Sequence, residues 1–548
     1  MKPPLEASRA PRSPDWGAPL RASAPVVAGL VALLALWWAA SAVFAPLRLV
    51  PAPLAVFRQM LADRGAYAAN GATTLREAFV GFCWGNAAAI VLGAVFVQFP
   101  LVERSLLKVA VASYCIPLVT IGPILVVVLP GDGPKEALAA MAVFFTSLLC
   151  TLQGLRSANP ASLDVVRSLG GGRATTFWRV RVPSALPSLC AGLRISAPAA
   201  LLGAVIGEYF GASQGLGVAL VQAQSSFEVA RSWGIALFLA LLAGLLYGLA
   251  SLASRLLVPW AGQDATVAAG SAADPPAGGL GAMGARLAKA LSFSLWSLVL
   301  AVGLWYLLIR AFRLDNYFAK TPLDVWRYLV SDPAAPGNRA ELAAALRVTF
   351  VDAGVGYLAG TGLAVLAAIV LSALPPLERA FMPGAVFMRS IPIVAVAPLI
   401  ALVFGRGLLG VTVVVSSVVF FPTLVFVLAG LRSAPRAAGE VVSAFGGSHL
   451  AVVRKVRFWY SLPSLFTSAR NALPAAIGGA ILAEWLSTGK GAGNLLVVAY
   501  SESQFDTLWS GSVVVIAISA GCYGALGLLE NLVSSRWGAS ASGRAARA

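Results

Sequence analysis

Long apolar runs broken by short charged stretches dominate this chain. Residues 22–47, between Arg21 and Arg48, carry no charge, and neither do residues 78–102, between Glu77 and Glu103. Further uncharged runs lie at 109–131, 137–155, 232–254, 290–309, 353–377, 407–431 and 507–529. About 20 apolar residues in a helix cross a hydrocarbon core. Lipid cannot satisfy backbone N–H and C=O groups, and the runs lack the alternation of a barrel strand, so each is predicted to be helical. Three weaker candidates, near 195–212, 390–405 and 471–487, are interrupted or bordered by charge. The pattern predicts an all-α polytopic membrane protein with about twelve transmembrane helices.

The runs occur twice. FFTSLLCTLQGLRSA at 144–158 is echoed by FFPTLVFVLAGLRSA at 420–434, an offset of 276. LVERSL at 101–106 matches PLERAF at 376–381, and Pro117 and Pro123 recur as Pro392 and Pro398. Arg194, Glu208, Gly215 and Gly217 recur as Arg470, Glu484, Gly491 and Gly493. A near-constant offset over so long a stretch marks a tandem repeat. Residues 25–260 and 287–537 are the two halves, each with about six spans. Residues 261–286, rich in Ala, Gly, Pro and Asp, are predicted to be a flexible linker. Residues 1–24 and 538–548 are expected to be tails, the first followed by a retained span rather than a cleaved signal peptide.

Composition agrees with lipid as the main solvent. Of 548 residues 59% are hydrophobic and only 11% charged, with a mean hydropathy of +0.82; a soluble domain carries about a quarter charged residues. The net charge of +17 does not point to nucleic acid, because the basic residues gather between spans rather than in one patch. The stretch 156–194 carries six arginines, including Arg167, Arg173 and Arg194, against Asp164. Its repeat, 432–470, carries Arg432, Arg436, Arg454, Lys455, Arg457 and Arg470 against Glu440. By the positive-inside rule both stretches, the linker and the termini are expected to face the cytoplasm. His449 is the only histidine, and the five cysteines are scattered without a CxxC, so no metal site is expected.

The two basic stretches carry the most specific signal. They read DVVRSLGGGRATTFWRVRVPSALPSL from Asp164 and EVVSAFGGSHLAVVRKVRFWYSLPSL from Glu440. In both, glycine follows the acid by six residues (Gly170, Gly446) and proline by twenty-three (Pro187, Pro463). The pattern predicts a short amphipathic helix, a left-handed glycine turn and a second helix returning to the membrane. Leu163, Val166 and Leu169 fall on one face of the first short helix, with Val441, Val442 and Phe445 in its repeat. Such a helix either lies on the surface as a connector or docks into a groove on a partner.

These segments resemble the EAA loop of ABC importer permeases, whose pattern is E-A-A, three residues, G, nine residues, then I-x-L-P. LERAFMPGAVFMRSIPIVAVAPLIALVFGRG (377–407), PSLCAGLRIS (187–196), GEYFGASQGLG (207–217) and AEWLSTGKGAG (483–493) resemble the nitrate/sulfonate/taurine-type permeases in particular. The resemblance implies two fused type I importer permease domains. It further implies that Asp164, Leu169, Gly170, Pro183, Pro187, Glu440, Phe445, Gly446 and Pro463 couple the chain to two nucleotide-binding ATPase subunits. ATP and Mg would sit on those subunits, and an extracytoplasmic binding protein would deliver the substrate. No GxxxxGK[ST] occurs in the chain, and no catalytic or metal site of its own is expected. Departures exist: Asp164 stands where Glu is usual, neither loop keeps both alanines, and Trp459 replaces Pro183 in the second copy. Substrates of this resemblance are small oxyanions such as nitrate, sulfonates or taurine, with vitamin precursors as the alternative.

Six residues are candidates for the translocation pathway. Pro117, Pro123, Pro392 and Pro398 are expected inside span three, where proline kinks a helix; packing alone is the competing reading. Glu208 and Glu484, near the outer end of span five, are read either as gate residues or as acids capping a following turn. Trp37, Trp38 and Trp305 are expected at lipid or the membrane interface. A secondary transporter also has twelve spans in two halves, but the sequence lacks an intramembrane ionisable network. Deleting 265–280 is predicted to leave folding intact, as measured by monodisperse recovery from membranes; loss of folding contradicts the linker reading.

Overall fold

The computed structural model describes residues 34–47, 50–260, 280–374 and 393–537, with isolated residues at 29, 31 and between 376 and 385. The expected tails, most of the linker and Pro392 lie outside the described residues. Every regular element among the described residues is helical. The first half comprises α1 (Leu34–Val43), α2 (Pro53–Ala62), α3 (Arg64–Gln98), α4 (Pro100–Tyr114), α5 (Leu118–Val128), α6 (Gly133–Arg156), α7 (Pro160–Ser168), α8 (Arg173–Tyr209), α9 (Leu216–Ser225) and α10 (Val229–Leu257). The second half repeats this order: α11 (Leu280–Ala311), α12 (Pro322–Trp326), α13 (Ala335–Ala373), α14 (Ile393–Phe404), α15 (Leu408–Arg432), α16 (Arg436–Ala444), α17 (Phe458–Ala483), α18 (Gly491–Ser501) and α19 (Phe505–Trp537).

Seven of these helices, α3, α6, α8, α10, α13, α15 and α19, are long and apolar enough to cross a membrane. The pair α4–α5 forms an eighth only as a broken span, bent by 98°. The uninterrupted span expected at 109–131 is therefore corrected. Pro117 is not inside a helix but caps α5 with φ −64° and ψ 123°. Lacking an N–H and forcing Ile116 out of the helical region, it breaks the run. Pro123 and Pro398 do lie inside helices, α5 and α14. The expected spans near 22–47 and 390–405 extend beyond the described residues. Helix α11 starts at Leu280, so the last residues of the expected linker are helical; Ala282, Met283, Ala285 and Arg286 there are good helix formers.

Within each half, packing rests on close backbone approach. In lipid there is little hydrophobic drive between helices, so small residues that let backbones touch become decisive. A Cβ on Gly81 or Gly203 would stand 2.4 Å and 2.6 Å from Ala139 atoms, so α6 is clamped between α3 and α8. Ser147 on α6 donates to Asn86 Oδ1 on α3 at 2.6 Å. The second half repeats the contact with Gly356 against Val415 and Gly360 against Ser416.

The halves join through their short third-span helices. Helix α5 packs on α17, α18 and α19 of the second half, and α14 packs on α8, α9 and α10 of the first. One apolar cluster holds Val119, Ile206 and Phe210 together with Ala476, Ile477 and Ile481. Tyr114 donates to the Asn471 carbonyl at 2.8 Å, and Ser297 on α11 donates to the Ser105 carbonyl at 2.7 Å. Trp38 is 59% exposed, while Trp37 and Trp305 are half-buried and stack on Trp233 and Trp509.

Replacing Gly203 with leucine is predicted to destabilise the first half by about 1–3 kcal/mol through overpacking, read as a lowered thermal unfolding midpoint in detergent. Gly362→Ala, where open space surrounds the position, should not lower that midpoint.

Candidate functional site

Two short helices occupy equivalent places in the halves, α7 between α6 and α8 and α16 between α15 and α17. Helix α7 starts at Asn159, whose side chain accepts from the Ala161 N–H at 2.9 Å, and it has no buried residue; neither has α16. Both end in the same cap. The N–H of Gly170 donates to the Arg167 carbonyl and that of Gly171 to the Val166 carbonyl, at 3.0 and 2.9 Å. Gly446 and Gly447 repeat this onto Ser443 and Val442. Gly170 has φ +81° and Gly446 φ +76°, with open space where a Cβ would sit. Glycine is required here for its backbone conformation and not for room.

The exposed apolar face differs from the one expected. Leu163, Val166 and Val442 are half-buried, whereas Val165 and Val441 are exposed. Leu169 is 82% exposed and Phe445 89%. Each helix thus presents an exposed i, i+4 apolar pair, Val165–Leu169 and Val441–Phe445, among the described residues. Asp164, in contact with Arg167 at 3.4 Å, and Glu440 are on the solvent side.

The basic stretches are shorter than expected, because the return helix starts early. Helix α8 carries a π-helical turn at Phe177–Arg181, and a π turn at Val453–Arg457 precedes α17 at the same offset. Pro183 and Pro187 fall within α8, and Pro463 within α17. Since Trp459 replaces Pro183 in the second half, the shared π turn does not depend on that proline. Arg194 and Arg470 are not in loops but well inside α8 and α17. Arg470 lies over the Tyr523 ring at 4.2 Å and contacts Glu530 at 3.2 Å.

At the far ends of α8 and α17 the two acids cap the next helix. Glu208 and Glu484 are 1% and 0% exposed. Glu208 Oε2 accepts from the Gly217 N–H at 2.5 Å; Glu484 Oε2 accepts from the Gly493 N–H at 2.8 Å and from the Thr349 hydroxyl at 2.9 Å. Thr74 and Thr349 in turn accept from the N–H groups of Leu216 and Ala492, each at 2.9 Å. A Cβ on Gly215 or Gly491 would stand 2.3 Å from the carboxyl carbon of its acid. The geometry is that of the capping alternative, which leaves neither carboxylate open to a passing solute. One signal was present in the sequence: each acid is followed by a glycine pair at a fixed distance. Only the first half adds a cation, with Lys135 Nζ 3.0 Å from Glu77 and 2.8 Å from Asp132. Asp132, at the start of α6, is held below the usual carboxylate range by its hydrogen bond to Lys135 and by the charges of Lys135 and Arg76.

Comparison with known proteins agrees with this architecture. The family model of the binding-protein-dependent transport system inner membrane component matches twice, at residues 85–263 and 360–537. The taurine transport system permease protein TauC of Escherichia coli is 29% identical over 263 residues, covering 45% of this chain and 94% of that protein. The formylaminopyrimidine transport permease protein ThiX of Halalkalibacterium halodurans is 28% identical over 230 residues, covering 42% of this chain and 92% of ThiX. A probable ABC transporter permease protein of Haemophilus influenzae is 29% identical over 177 residues, 32% of this chain and 72% of that protein. No solved structure matches. Each of the two longest matches fits a nearly complete relative into less than half of this chain. The chain belongs to the family of binding-protein-dependent transport system inner membrane components, and it is an ABC importer permease in which two permease domains are fused.

Proposed function

We propose that this chain forms the whole transmembrane part of an importer driven by two copies of a separate nucleotide-binding ATPase, with α7 and α16 as its docking elements. The observation that carries the reading is the pair of matched exposed knobs, Leu169 and Phe445, each locked by a left-handed glycine cap. An amphipathic helix with such a face fits a groove on a partner. ATP and Mg sit on the ATPase subunits, and an extracytoplasmic binding protein delivers the substrate. The basic residues around α7 and α16 support a bacterial plasma (inner) membrane orientation with both termini cytoplasmic.

The substrate is a small oxyanion of the sulfonate or taurine type. Arg194, half-buried inside α8 and without an ion-pair partner among the described residues, supports a negatively charged solute. A vitamin precursor is the second reading, supported by the formylaminopyrimidine permease among the relatives. Competition between taurine and formylaminopyrimidine for uptake separates the two.

Replacing both Gly170 and Gly446 with valine is predicted to abolish substrate-stimulated ATP hydrolysis while leaving membrane insertion in place. A β-branched residue resists the left-handed conformation, and no packing depends on either position. Uptake at the wild-type rate in that double variant contradicts the docking assignment.

A further inference from the structure

The residues immediately after the two capping acids meet across the join between the halves. Phe210 stacks on Trp485 with ring centroids 4.6 Å apart and planes 10° from parallel, and Tyr209 meets the same indole edge-on at 5.6 Å. Phe210 is 5% exposed. Its ring is also pressed against α5, since a Cβ on Gly122 would stand 2.4 Å from it. The phenyl ring is thus held between the backbone of a broken-span helix and an indole from the other half.

The position of this cluster matters as much as its packing. Tyr209 ends α8, whose first turn, Arg173–Thr176, packs against α7. At about 1.5 Å per residue the stretch Val182–Tyr209 is about 42 Å long, so Tyr209 and Phe210 lie at the end of α8 remote from α7. The elements around it, α5, α8 and α17, are the ones through which the halves join. The chain is fixed just before the aromatics: the carboxylates of Glu208, one residue before Tyr209 and two before Phe210, and of Glu484, one before Trp485, accept from the Gly217 and Gly493 N–H groups of α9 and α18. The acids are therefore rigid mounts for the rings that follow them.

We propose that Phe210, Tyr209 and Trp485 form the seal that closes the solute path at the end remote from the motor, and that parting the Phe210–Trp485 stack opens it. The seal is asymmetric. The repeat places Trp485 opposite Tyr209 and Leu486 opposite Phe210, so one face-to-face stack joins the halves off the pseudo-twofold axis. Stacked aromatics gain energy beyond their burial, a gain that a differential contact with a partner can offset. This inference rests on the permease reading above, but its test does not use the motor.

The full chain is reconstituted into liposomes without ATPase or ATP, and entry of a small neutral solute, erythritol, is followed by light scattering. The Phe210→Ala/Trp485→Ala variant is expected to admit erythritol at least ~10-fold faster than the wild-type chain, consistent with loss of a stacked pair of about 1.4 kcal/mol. Phe210→Leu, which keeps bulk but not stacking, is expected to fall between them. Wild-type entry rates in the double variant overturn the seal. If that variant is not recovered as monodisperse protein, Phe210→Leu decides by the same criterion. Because no nucleotide is present, loss of docking at α7 and α16 cannot imitate either outcome.

Discussion

Every backbone N–H and C=O inside a bilayer must find its partner within the protein, and that constraint shapes this chain more than any side-chain preference. Unbroken helices meet it automatically. The departures are concentrated at the third span and after the fifth, and each is repaired locally. At the third span, Pro117 removes the donor that the break would orphan. After the fifth, Glu208 and Glu484 accept the opening N–H groups of α9 and α18, helped by Thr74 and Thr349. An acid buried in a span is costly; here one carboxylate oxygen of each acid takes the place of water at a helix start. The same carboxylates fix the aromatic residues next in sequence.

Duplication explains the architecture, and divergence between the copies explains its asymmetry. Both halves keep the acid, the threonine beneath it, the glycine turn and the π-helical return. They differ in what surrounds these elements. Beside Glu208 stands Glu77, paired with Lys135, whereas Glu484 has Asp352 nearby and no paired lysine among the described residues. Phe445 offers a larger knob than Leu169 at the same register. Arg470 is matched by Glu530, while the first half has Ser254 at the corresponding position. A single gene can tune each half in this way, since the two copies never exchange places.

Much of this was legible in the sequence because it is local or periodic. Apolar runs, the repeat offset and the acid-to-glycine spacing each report on residues close along the chain. Gly170 and Gly446 are readable because the left-handed turn they form needs no distant partner. What escaped depended on contacts between remote segments. Arg194 and Arg470 read as loop residues because charge interrupts an apolar run, yet α8 and α17 carry them inward, Arg470 against Glu530 and Tyr523. Pro117 reads as a kink within one span, but the chain there breaks by 98° into two helices, the second of which packs on the other half. The outward face of α7 was misjudged because the helix is so short that its register depends on its flanks, which turn Val166 inward and Val165 outward.

The central claim is that one chain supplies both transmission elements to an external motor. It is tested most directly by placing a photo-crosslinking residue at Val165 or at Val441 in the full chain, co-expressed with its ATPase. The account predicts an adduct between the ATPase and this chain from each position separately. Adducts from neither position, together with labelling of both by a membrane-impermeant reagent added outside intact cells, would contradict it.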